Sequence, residues 1–356
     1  MNRFVRPCVK ALEAYKVEAP HYAVILNANE NPWDLPEEIK ASICERIMQT
    51  PLNRYPEACY PEVLEELSAY TGISSDKIIC GCGSDELIAM INQAFVNPGD
   101  VVVSHVPSFA MYQIWTTIAD ARFVGVADLD GHVPDVDGII QAAVDHQAKL
   151  IYLCNPNNPT GYLMKRQDIL RIVEETDALV VLDEAYMEFK GVTNVDLIES
   201  YDNLLVLRTL SKAFGSAGIR LGYCLGDTSL MDMLYKVKSP YNINVLTQIA
   251  AAEVLKNREK LLSRLNVLNV ERRRLYRALL ELPLDNLYPT ASNFIYFETS
   301  RAKDIYDTMR ANDILIKYMA GGDETPPGIR LTVGAPEENA RVLALLKGVF
   351  EVADNE

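Results

Sequence analysis

Short apolar runs alternate with amphipathic segments between about residue 75 and residue 230, and this alternation constrains the fold most strongly. The clearest runs are residues 101–103, 150–153, 179–182, 204–207 and 223–225. They contain little polar alternation, which is typical of strands buried on both faces of a sheet. Between two of these runs, Ile169, Leu170 and Val173 recur at helical spacing, as in a crossover helix. The pattern therefore predicts βαβ units and a largely parallel sheet.

The sequence changes character after Pro240. Residues 245–282 form a long helical stretch that meets neither proline nor glycine before Pro283. We expect a strand at 293–298, a helix at 302–312, a strand at 329–333 and a last helix that starts at Pro336. These elements indicate a second, smaller α/β unit that the N-terminal segment joins. We expect a large domain at 30–245 and a small domain made of 1–29 and 246–356.

Composition narrows the classes of partner. The 356 residues include 34 Lys and Arg against 49 Asp and Glu, so the net charge of −15 argues against nucleic acid or a membrane as a partner. No apolar run approaches the ~18 residues of a membrane span and the N-terminus lacks a signal-peptide core, which predicts a cytoplasmic protein. Seven scattered cysteines do not suggest a disulfide framework, and four histidines without ligand spacing suggest no metal.

Polar motifs follow three of the apolar runs directly. The first is Cys-Asn-Pro-Asn-Asn-Pro-Thr-Gly at 154–161, the second is Asp-Glu-Ala-Tyr at 183–186, and the third is Arg-Thr-Leu-Ser-Lys at 208–212. Open α/β sheets bind ligands at the carboxyl ends of their parallel strands. Three motifs placed in this way indicate one site.

A fourth motif has the form of a strand, a glycine turn and a helix start. Residues 78–80 are apolar, Gly-Cys-Gly-Ser-Asp-Glu follows at 81–86, and an apolar helix is predicted from Leu87. Free N–H groups and the helix dipole at such a start can hold a phosphate. The alternative is that Ser84 or Asp85 only caps the helix. The dinucleotide fingerprint lacks its third glycine and no P-loop motif occurs, so NAD and ATP are disfavoured.

A phosphate site, a strand-end carboxylate and a strand-end lysine together suit pyridoxal phosphate. This cofactor needs an amine for its imine, a carboxylate opposite its ring nitrogen and an anion site for its phosphate. Lys212 can supply the amine, Asp183 the carboxylate, and Tyr186 and Asn158 hydrogen bonds to the ring oxygen. Taken singly, Lys212 could be a solvated loop lysine and Asp183 a helix cap. Their combination favours the cofactor.

The motifs at 155–161, 183–186, 209–215 and 217–220 resemble those of the fold-type I pyridoxal-phosphate aminotransferases. Flanking motifs resemble the histidinol-phosphate aminotransferases within that family. They are Leu-Asn-Ala-Asn-Glu-Asn-Pro at 26–32, Arg-Tyr-Pro at 54–56, Gly-Ser-Asp-Glu at 83–86, Pro-Tyr-Asn-Ile-Asn at 240–244, Ser-Asn-Phe at 292–294 and Arg-Leu-Thr-Val-Gly at 330–334. The resemblance implies an α/β fold, with a mostly parallel sheet sandwiched by helices in the large domain and a smaller α/β domain.

The resemblance also implies roles for individual residues. Lys212 would be the Schiff-base lysine and Asp183 the partner of the ring nitrogen, with Tyr186 as the third catalytic residue. The implied cofactor-binding residues are Gly83, Ser84, Asp85, Phe109, Asn158, Asp183, Tyr186, Thr209, Ser211, Lys212 and Arg220, together with Tyr55 from the partner subunit of a homodimer. The implied substrate-binding residues are Tyr15, Asn29, Arg330 and Lys317.

Two of these positions depart from the family pattern. Phe109 stands where tyrosine is usual, which removes one hydroxyl and keeps the stacking ring. Lys317 stands where a second phosphate-binding arginine is usual, and lysine keeps the charge but lacks the guanidinium fork. Arg330 retains that fork, which can accept phosphate or carboxylate through two hydrogen bonds.

The implied reaction transfers an amino group between L-histidinol phosphate and 2-oxoglutarate, giving imidazole acetol phosphate and L-glutamate in histidine biosynthesis. The nearest alternative is an aromatic amino acid aminotransferase, because it would share every cofactor residue. A phosphothreonine decarboxylase of the same fold is a second alternative. A cofactor-binding regulator would need a DNA-binding domain, and the 25 or so residues before Leu26 are too few to form one.

Overall fold

The computed structural model describes residues 3–10, 12–14, 21–321 and 326–353, which form two β-sheets with helices packed around them. The strands are β1 (Val24–Leu26), β2 (Ile78–Cys82), β3 (Val101–Val106), β4 (Arg122–Ala127), β5 (Leu150–Cys154), β6 (Leu179–Asp183), β7 (Leu204–Thr209), β8 (Leu221–Gly226), β9 (Asn286–Leu287), β10 (Phe294–Glu298), β11 (Ile314–Met319) and β12 (Gly328–Thr332). The helices are α1 (Pro7–Lys10), α2 (Glu37–Gln49), α3 (Pro61–Thr71), α4 (Ser84–Phe95), α5 (Met111–Ile118), α6 (Val136–Asp145), α7 (Arg166–Glu174), α8 (Thr228–Val237), α9 (Val245–Lys256), α10 (Arg258–Ser263), α11 (Leu265–Leu280), α12 (Ala302–Ala311) and α13 (Pro336–Ala353).

The larger sheet has seven strands in the order β2-β8-β7-β6-β5-β3-β4. Strands β4, β3, β5, β6 and β7 are parallel, and β8 runs antiparallel to both of its neighbours. Every residue of β5, β7 and β8 is buried. The mostly parallel sheet that the apolar runs predict is therefore confirmed.

Helices cover both faces of this sheet. Val180 and Val181 are neighbours in β6, and they belong to two separate hydrophobic clusters, one on each face. Helices α4 and α8 pack on one face, and α6 and α7 pack on the other. Burial on both faces is the physical reason why these strands lack polar alternation.

The second sheet has five strands in the order β1-β11-β12-β10-β9. Its first strand comes from the N-terminal segment and pairs in parallel with β11, while the remaining pairs are antiparallel. Helix α12 packs on β11 and β12, α13 packs against α11 and α12, and α9 packs against α2 and α3. The domain limits at residues 29/30 and 245/246 stay a prediction.

The stretch predicted as one long helix, 245–282, is three helices. The breaks fall at Asn257 and Arg264. The Asn257 side chain donates to the carbonyl oxygen of Glu253 at 2.8 Å, an alternative to helix continuation that asparagine offers readily. Periodicity misses the first break because the apolar positions continue across it.

No helix in the described ranges is long and apolar enough to cross a membrane. The same residues contain no group of three or more His, Cys, Asp or Glu side chains that could hold a metal ion. All seven cysteines lie in the described ranges as free thiols.

Candidate active site

The three strand-end motifs lie at one edge of the seven-stranded sheet. Asp183 is the last residue of β6, and it pairs with Cys154 at the end of β5 and with Leu207 in β7. Lys212 follows β7 by three residues, and its Nζ lies 5.8 Å from the centre of the Tyr186 ring. The parallel register thus brings together residues that are up to 58 positions apart in the sequence.

Asp183 is a buried carboxylate without a cationic partner in the described part of the chain. Its side chain accepts hydrogen bonds from the Tyr112 hydroxyl at 2.8 Å and from the Ala185 backbone N–H at 3.1 Å. Burial raises the pKa of Asp183 to about 6, and the two hydrogen bonds oppose that rise. Glu184, the next residue, is also buried but forms an ion pair with Arg208 at 2.9 Å. The unpaired charge of Asp183 therefore favours a ligand with a positive charge.

Tyr112 is a site residue that the sequence interpretation misses. It lies in α5 with 1% exposure, its ring stacks on Tyr152 at 4.5 Å, and the Phe109 ring meets it edge-on at 5.6 Å. Its hydroxyl reaches a carboxylate 71 residues away. Tyr112 follows Phe109 by three residues, and this spacing is the signal in the sequence that the two rings lie close together. The spacing alone does not reveal that Asp183 is the hydrogen-bond partner of Tyr112.

The glycine turn leads into the N-terminus of α4. Gly83 precedes the helix at φ 76°. No side chain among the described residues caps the first turn, so the backbone N–H groups of that turn remain available. A Cβ at Gly83 would collide with the Arg220 guanidinium, and one at Gly222 would collide with the backbone N of Ser84. The two glycines therefore let the helix start approach Arg220 and β8 closely.

Three polar side chains, from the end of β7 to the start of β8, lie close together, and one of them contacts this helix start. The Thr209 hydroxyl lies 2.9 Å from that of Ser211, and the Arg220 guanidinium lies 3.4 Å from the Ser211 hydroxyl. Arg220 also pairs with Asp85 at 3.3 Å, so Asp85 turns its side chain toward this cation. Helix N–H groups, two hydroxyls and a guanidinium form a set of donors that suits a phosphate.

Lys212 has the properties of a reactive amine. Its Nζ donates to the carbonyl oxygen of Ala28 at 2.8 Å. Loss of hydration, and then the positive charge of Arg330, lower the pKa of Lys212 to about 8. The neutral fraction of this amine near neutral pH is therefore larger than that of an ordinary lysine, which favours a role as a nucleophile or a general base.

Arg330 enters the cleft from β12 of the smaller sheet. Its guanidinium donates to the Asn158 side-chain oxygen and to the carbonyl oxygen of Asn27, the latter at 2.5 Å, and lies over the Phe294 ring at 5.5 Å. Lys317 in β11 is directly opposite Arg330 in the antiparallel register. Two cationic residues thus occupy adjacent positions on the two strands.

Tyr186 lies between the two sheets with 4% exposure. Its ring meets Phe294 edge-on at 5.3 Å, and its hydroxyl accepts a hydrogen bond from the Asn29 side chain at 3.0 Å. Burial raises the pKa of Tyr186 above its usual value. Asn29 is 1% exposed, so its side chain is already engaged within the protein. The predicted role of Asn29 in substrate binding stays a prediction.

One predicted residue, Tyr55, is not brought into the cleft by this chain alone. Tyr55 is 79% exposed, and its ring stacks on Tyr241 at 4.4 Å. Its predicted contact requires a partner subunit and stays a prediction. Tyr15 lies outside the described residues.

The cleft fits the charges of pyridoxal 5'-phosphate. Asp183 offers a buried negative charge that no cation among the described residues neutralises, and Lys212 offers an amine of lowered pKa. The start of α4 and Arg220 offer a separate anion site. These three features match the ring nitrogen, the aldehyde and the phosphate of the cofactor.

Comparison with known proteins agrees with this geometry. Residues 23–346 match the family model described as aminotransferase class I and II. The chain belongs to the class I and II aminotransferases. A histidinol-phosphate aminotransferase of Thermoanaerobacter sp. (strain X514) is 40% identical to this aminotransferase over 98% of the chain and 99% of the relative. That of Caldanaerobacter subterraneus subsp. tengcongensis is 37% identical with the same coverage.

Solved structures resemble the aminotransferase along its whole length. The histidinol-phosphate aminotransferase of Sinorhizobium meliloti, in complex with pyridoxal-5'-phosphate, has a TM-score of 0.90 and 23% identity, with 99% of each chain covered. That of Clostridium acetobutylicum has a TM-score of 0.83 and 25% identity, with 92% of this chain and 99% of the other covered. The predicted fold, enzyme class and pyridoxal-phosphate cofactor are thereby confirmed.

Proposed function

We propose that this aminotransferase transfers the amino group of L-histidinol phosphate to 2-oxoglutarate, giving imidazole acetol phosphate and L-glutamate, as a step of histidine biosynthesis. The juxtaposition of Lys317 and Arg330 on neighbouring strands carries this proposal. A phosphate ester is a dianion near neutral pH, and two adjacent cations stabilise it more than they stabilise a carboxylate. The names of the relatives at 36–40% identity support the same substrate.

Arg330 serves both substrates in this proposal. Asn158 and the backbone of Asn27 hold its guanidinium in place. The fork accepts the phosphate of one substrate and a carboxylate of the other. Lys317 adds a charge that the phosphate uses most, so it is the residue that favours histidinol phosphate.

The cofactor supplies a carbon that accepts the amino group and a conjugated ring that spreads negative charge. Lys212 holds the cofactor between reactions and, once released, moves a proton from the substrate carbon, which its lowered pKa favours. Asp183 keeps the ring nitrogen protonated, because a nearby negative charge raises the pKa of that nitrogen. Tyr186 and Asn158 donate hydrogen bonds to the ring oxygen.

The phosphate of the cofactor is assigned to the start of α4. Ser84 and Asp85 contribute backbone N–H groups there, and Arg220 contributes charge. The Gly83 backbone N–H donates to the Arg220 carbonyl oxygen at 3.1 Å, so the predicted contribution of Gly83 is limited to the turn that it forms. Thr209 and Ser211 contribute hydroxyls, and Phe109 is assigned to stack on the ring.

Half-reactions test the substrate. The cofactor-loaded enzyme is mixed separately with histidinol phosphate, phenylalanine and phosphothreonine, and the visible spectrum reports the amino transfer in each. We expect the largest rate per concentration with histidinol phosphate. Faster transfer from phenylalanine would assign the chain to the aromatic alternative, and carbon dioxide release from phosphothreonine without a keto acid would assign it to the decarboxylase.

The active site is proposed to be shared in a homodimer, with Tyr55 reaching the partner's cofactor. The exposed Tyr55–Tyr241 stack supports this arrangement, because it leaves a large aromatic surface for a partner. Lys212→Ala and Tyr55→Ala chains are unfolded together and refolded. Hybrid dimers then contain one intact site, so about a quarter of the native activity returns. A mixture no more active than its separate variants would contradict the shared site. The cytoplasmic location stays a prediction.

A further inference from the structure

Asn29 has every one of its polar groups engaged within the chain. Its backbone N–H donates to the Thr332 hydroxyl at 3.1 Å, and its carbonyl accepts from the Asn293 side chain at 2.9 Å. Its side-chain oxygen accepts from the Thr332 hydroxyl at 3.2 Å, and its side-chain nitrogen donates to the Tyr186 hydroxyl at 3.0 Å. Asn29 also has a positive φ of 56°, which asparagine tolerates better than most residues. Such a residue is fixed in one orientation.

Thr332 determines which end of the Asn29 amide faces Tyr186. The Thr332 hydroxyl accepts from the Asn29 backbone and gives its own proton to the Asn29 side-chain oxygen. The amide nitrogen is then the end that points to Tyr186. Thr332 is 1% exposed at the end of β12, so no competing solvent contact loosens this arrangement.

The direction of the Tyr186 hydroxyl proton follows from this chain of hydrogen bonds. The oxygen of that hydroxyl accepts from Asn29, so its proton is left for another acceptor. Among the described residues no group accepts that proton. The ring oxygen of the bound cofactor, which the proposed function assigns to Tyr186, is an acceptor that the chain does not supply.

We propose that Thr332 is a positioning residue that acts through Asn29 to keep Tyr186 a hydrogen-bond donor toward the cofactor. The inference rests on the proposed function for bound pyridoxal phosphate and for the assignment of Tyr186 to its ring oxygen. Without the Thr332 hydroxyl, the Asn29 amide is free to turn its oxygen toward Tyr186. Tyr186 would then donate to Asn29 and its bond to the cofactor would be lost. A residue of the smaller sheet, Thr332, thus determines the direction of a hydrogen bond made by Tyr186, which follows β6 of the larger sheet.

A pH titration of the visible absorbance, with no substrate present, tests the proposal. A donated hydrogen bond stabilises the negatively charged ring oxygen, so losing it raises the pKa of the lysine-linked cofactor. We expect Thr332→Val to raise that pKa by about half a unit, Tyr186→Phe to raise it further, and Thr332→Ser to leave it near the native value. Thr176→Val is the matched control, because it removes another buried hydroxyl, bonded to the Ile172 carbonyl oxygen in α7.

The double variant of Thr332→Val and Tyr186→Phe distinguishes an effect on the cofactor pKa that acts through Tyr186 from a general effect. In a Tyr186→Phe background, Thr332→Val is expected to cause no further shift, since the hydroxyl through which it acts is gone. An equal shift in both backgrounds, or none in either, would overturn the proposal. If Thr332→Val does not fold, Asn29→Gly removes the amide while suiting the positive φ, and the same non-additivity is required. A native chain that binds no cofactor would instead refute the proposed function.

Discussion

Asp183→Asn is expected to stabilise the cofactor-free chain at neutral pH while it disables the loaded enzyme. The native carboxylate is buried beside Tyr112 and no cation in the described part of the chain neutralises it, so its charge opposes folding until the cofactor binds. Asparagine keeps the shape and removes that charge. Its oxygen can still accept from the Ala185 backbone, and the Tyr112 hydroxyl can turn from donor to acceptor.

The magnitude follows from the raised pKa of Asp183. The folded value of about 6 exceeds the ordinary 3.8 by about 2 units, and at 1.36 kcal/mol per unit this corresponds to about 3 kcal/mol. The unfolded chain loses its proton first as pH rises, so the native protein loses stability between about pH 4 and pH 6. The advantage of Asp183→Asn is therefore absent below that window and complete above it. If asparagine also lowers the free energy of unfolding by an amount that does not depend on pH, this pH dependence stays the same.

Urea unfolding of the native chain and of Asp183→Asn, both free of cofactor, from pH 4 to pH 8 measures the difference between their free energies of unfolding. With cofactor bound, the order is expected to reverse, because the ring nitrogen provides the missing positive charge. Activity is expected to fall by about 100-fold or more, as for the loss of a preorganised electrostatic partner. A difference in unfolding free energy that does not change with pH would refute the reasoning, and retention of more than about a tenth of the activity would leave Asp183 only a structural role.

Four further variants test the other assignments. Lys212→Ala is expected to fold and to bind cofactor only non-covalently, so borohydride reduction followed by mass spectrometry finds no lysine-linked cofactor; a linked lysine elsewhere would contradict the assignment. Lys317→Ala is expected to lower kcat/KM for histidinol phosphate by ~10–150-fold, the equivalent of one charged hydrogen bond, with smaller losses for phenylalanine and glutamate. Equal losses for every substrate in Lys317→Ala would show that Lys317 does not recognise the phosphate. Arg330→Ala is expected to slow both half-reactions. Tyr112→Phe is expected to lower kcat about tenfold by weakening the hold on Asp183, whereas an unchanged kcat would show that the hydroxyl is dispensable.

Local sequence patterns predict those site residues that lie at the carboxyl end of a buried strand. Asp183 and Lys212 follow buried apolar runs, and the parallel register converts that position in the sequence into proximity in space. The bond from Tyr112 to Asp183 joins residues 71 positions apart, and that from Asn29 to Thr332 joins residues 303 apart. No periodicity connects such pairs, because each partner is an ordinary polar residue in its own segment.

The same limit applies to the smaller sheet. Residues 293–298 and 329–333 have the apolar character of strands and are found as β10 and β12. Strand β1 has three residues, too few for a pattern, and it is stabilised by a strand 290 positions later in the chain. The strand that holds Lys317, β11, is also not predicted from its sequence.

The pairing of β1 with β11 imposes an order of assembly on a chain made from its N-terminus. At about 5–20 residues per second, Val24 waits roughly 15–60 s on the ribosome for its partner Ile314 to be synthesised. The strands and loops that surround the phosphate site are complete by Gly226, whereas the contacts of Asn29 and Arg330 form only after β12 emerges. The cofactor side of the cleft can therefore take shape before the substrate side. Pulse-labelled hydrogen exchange on nascent chains would show this order as protection of β5 before protection of β1.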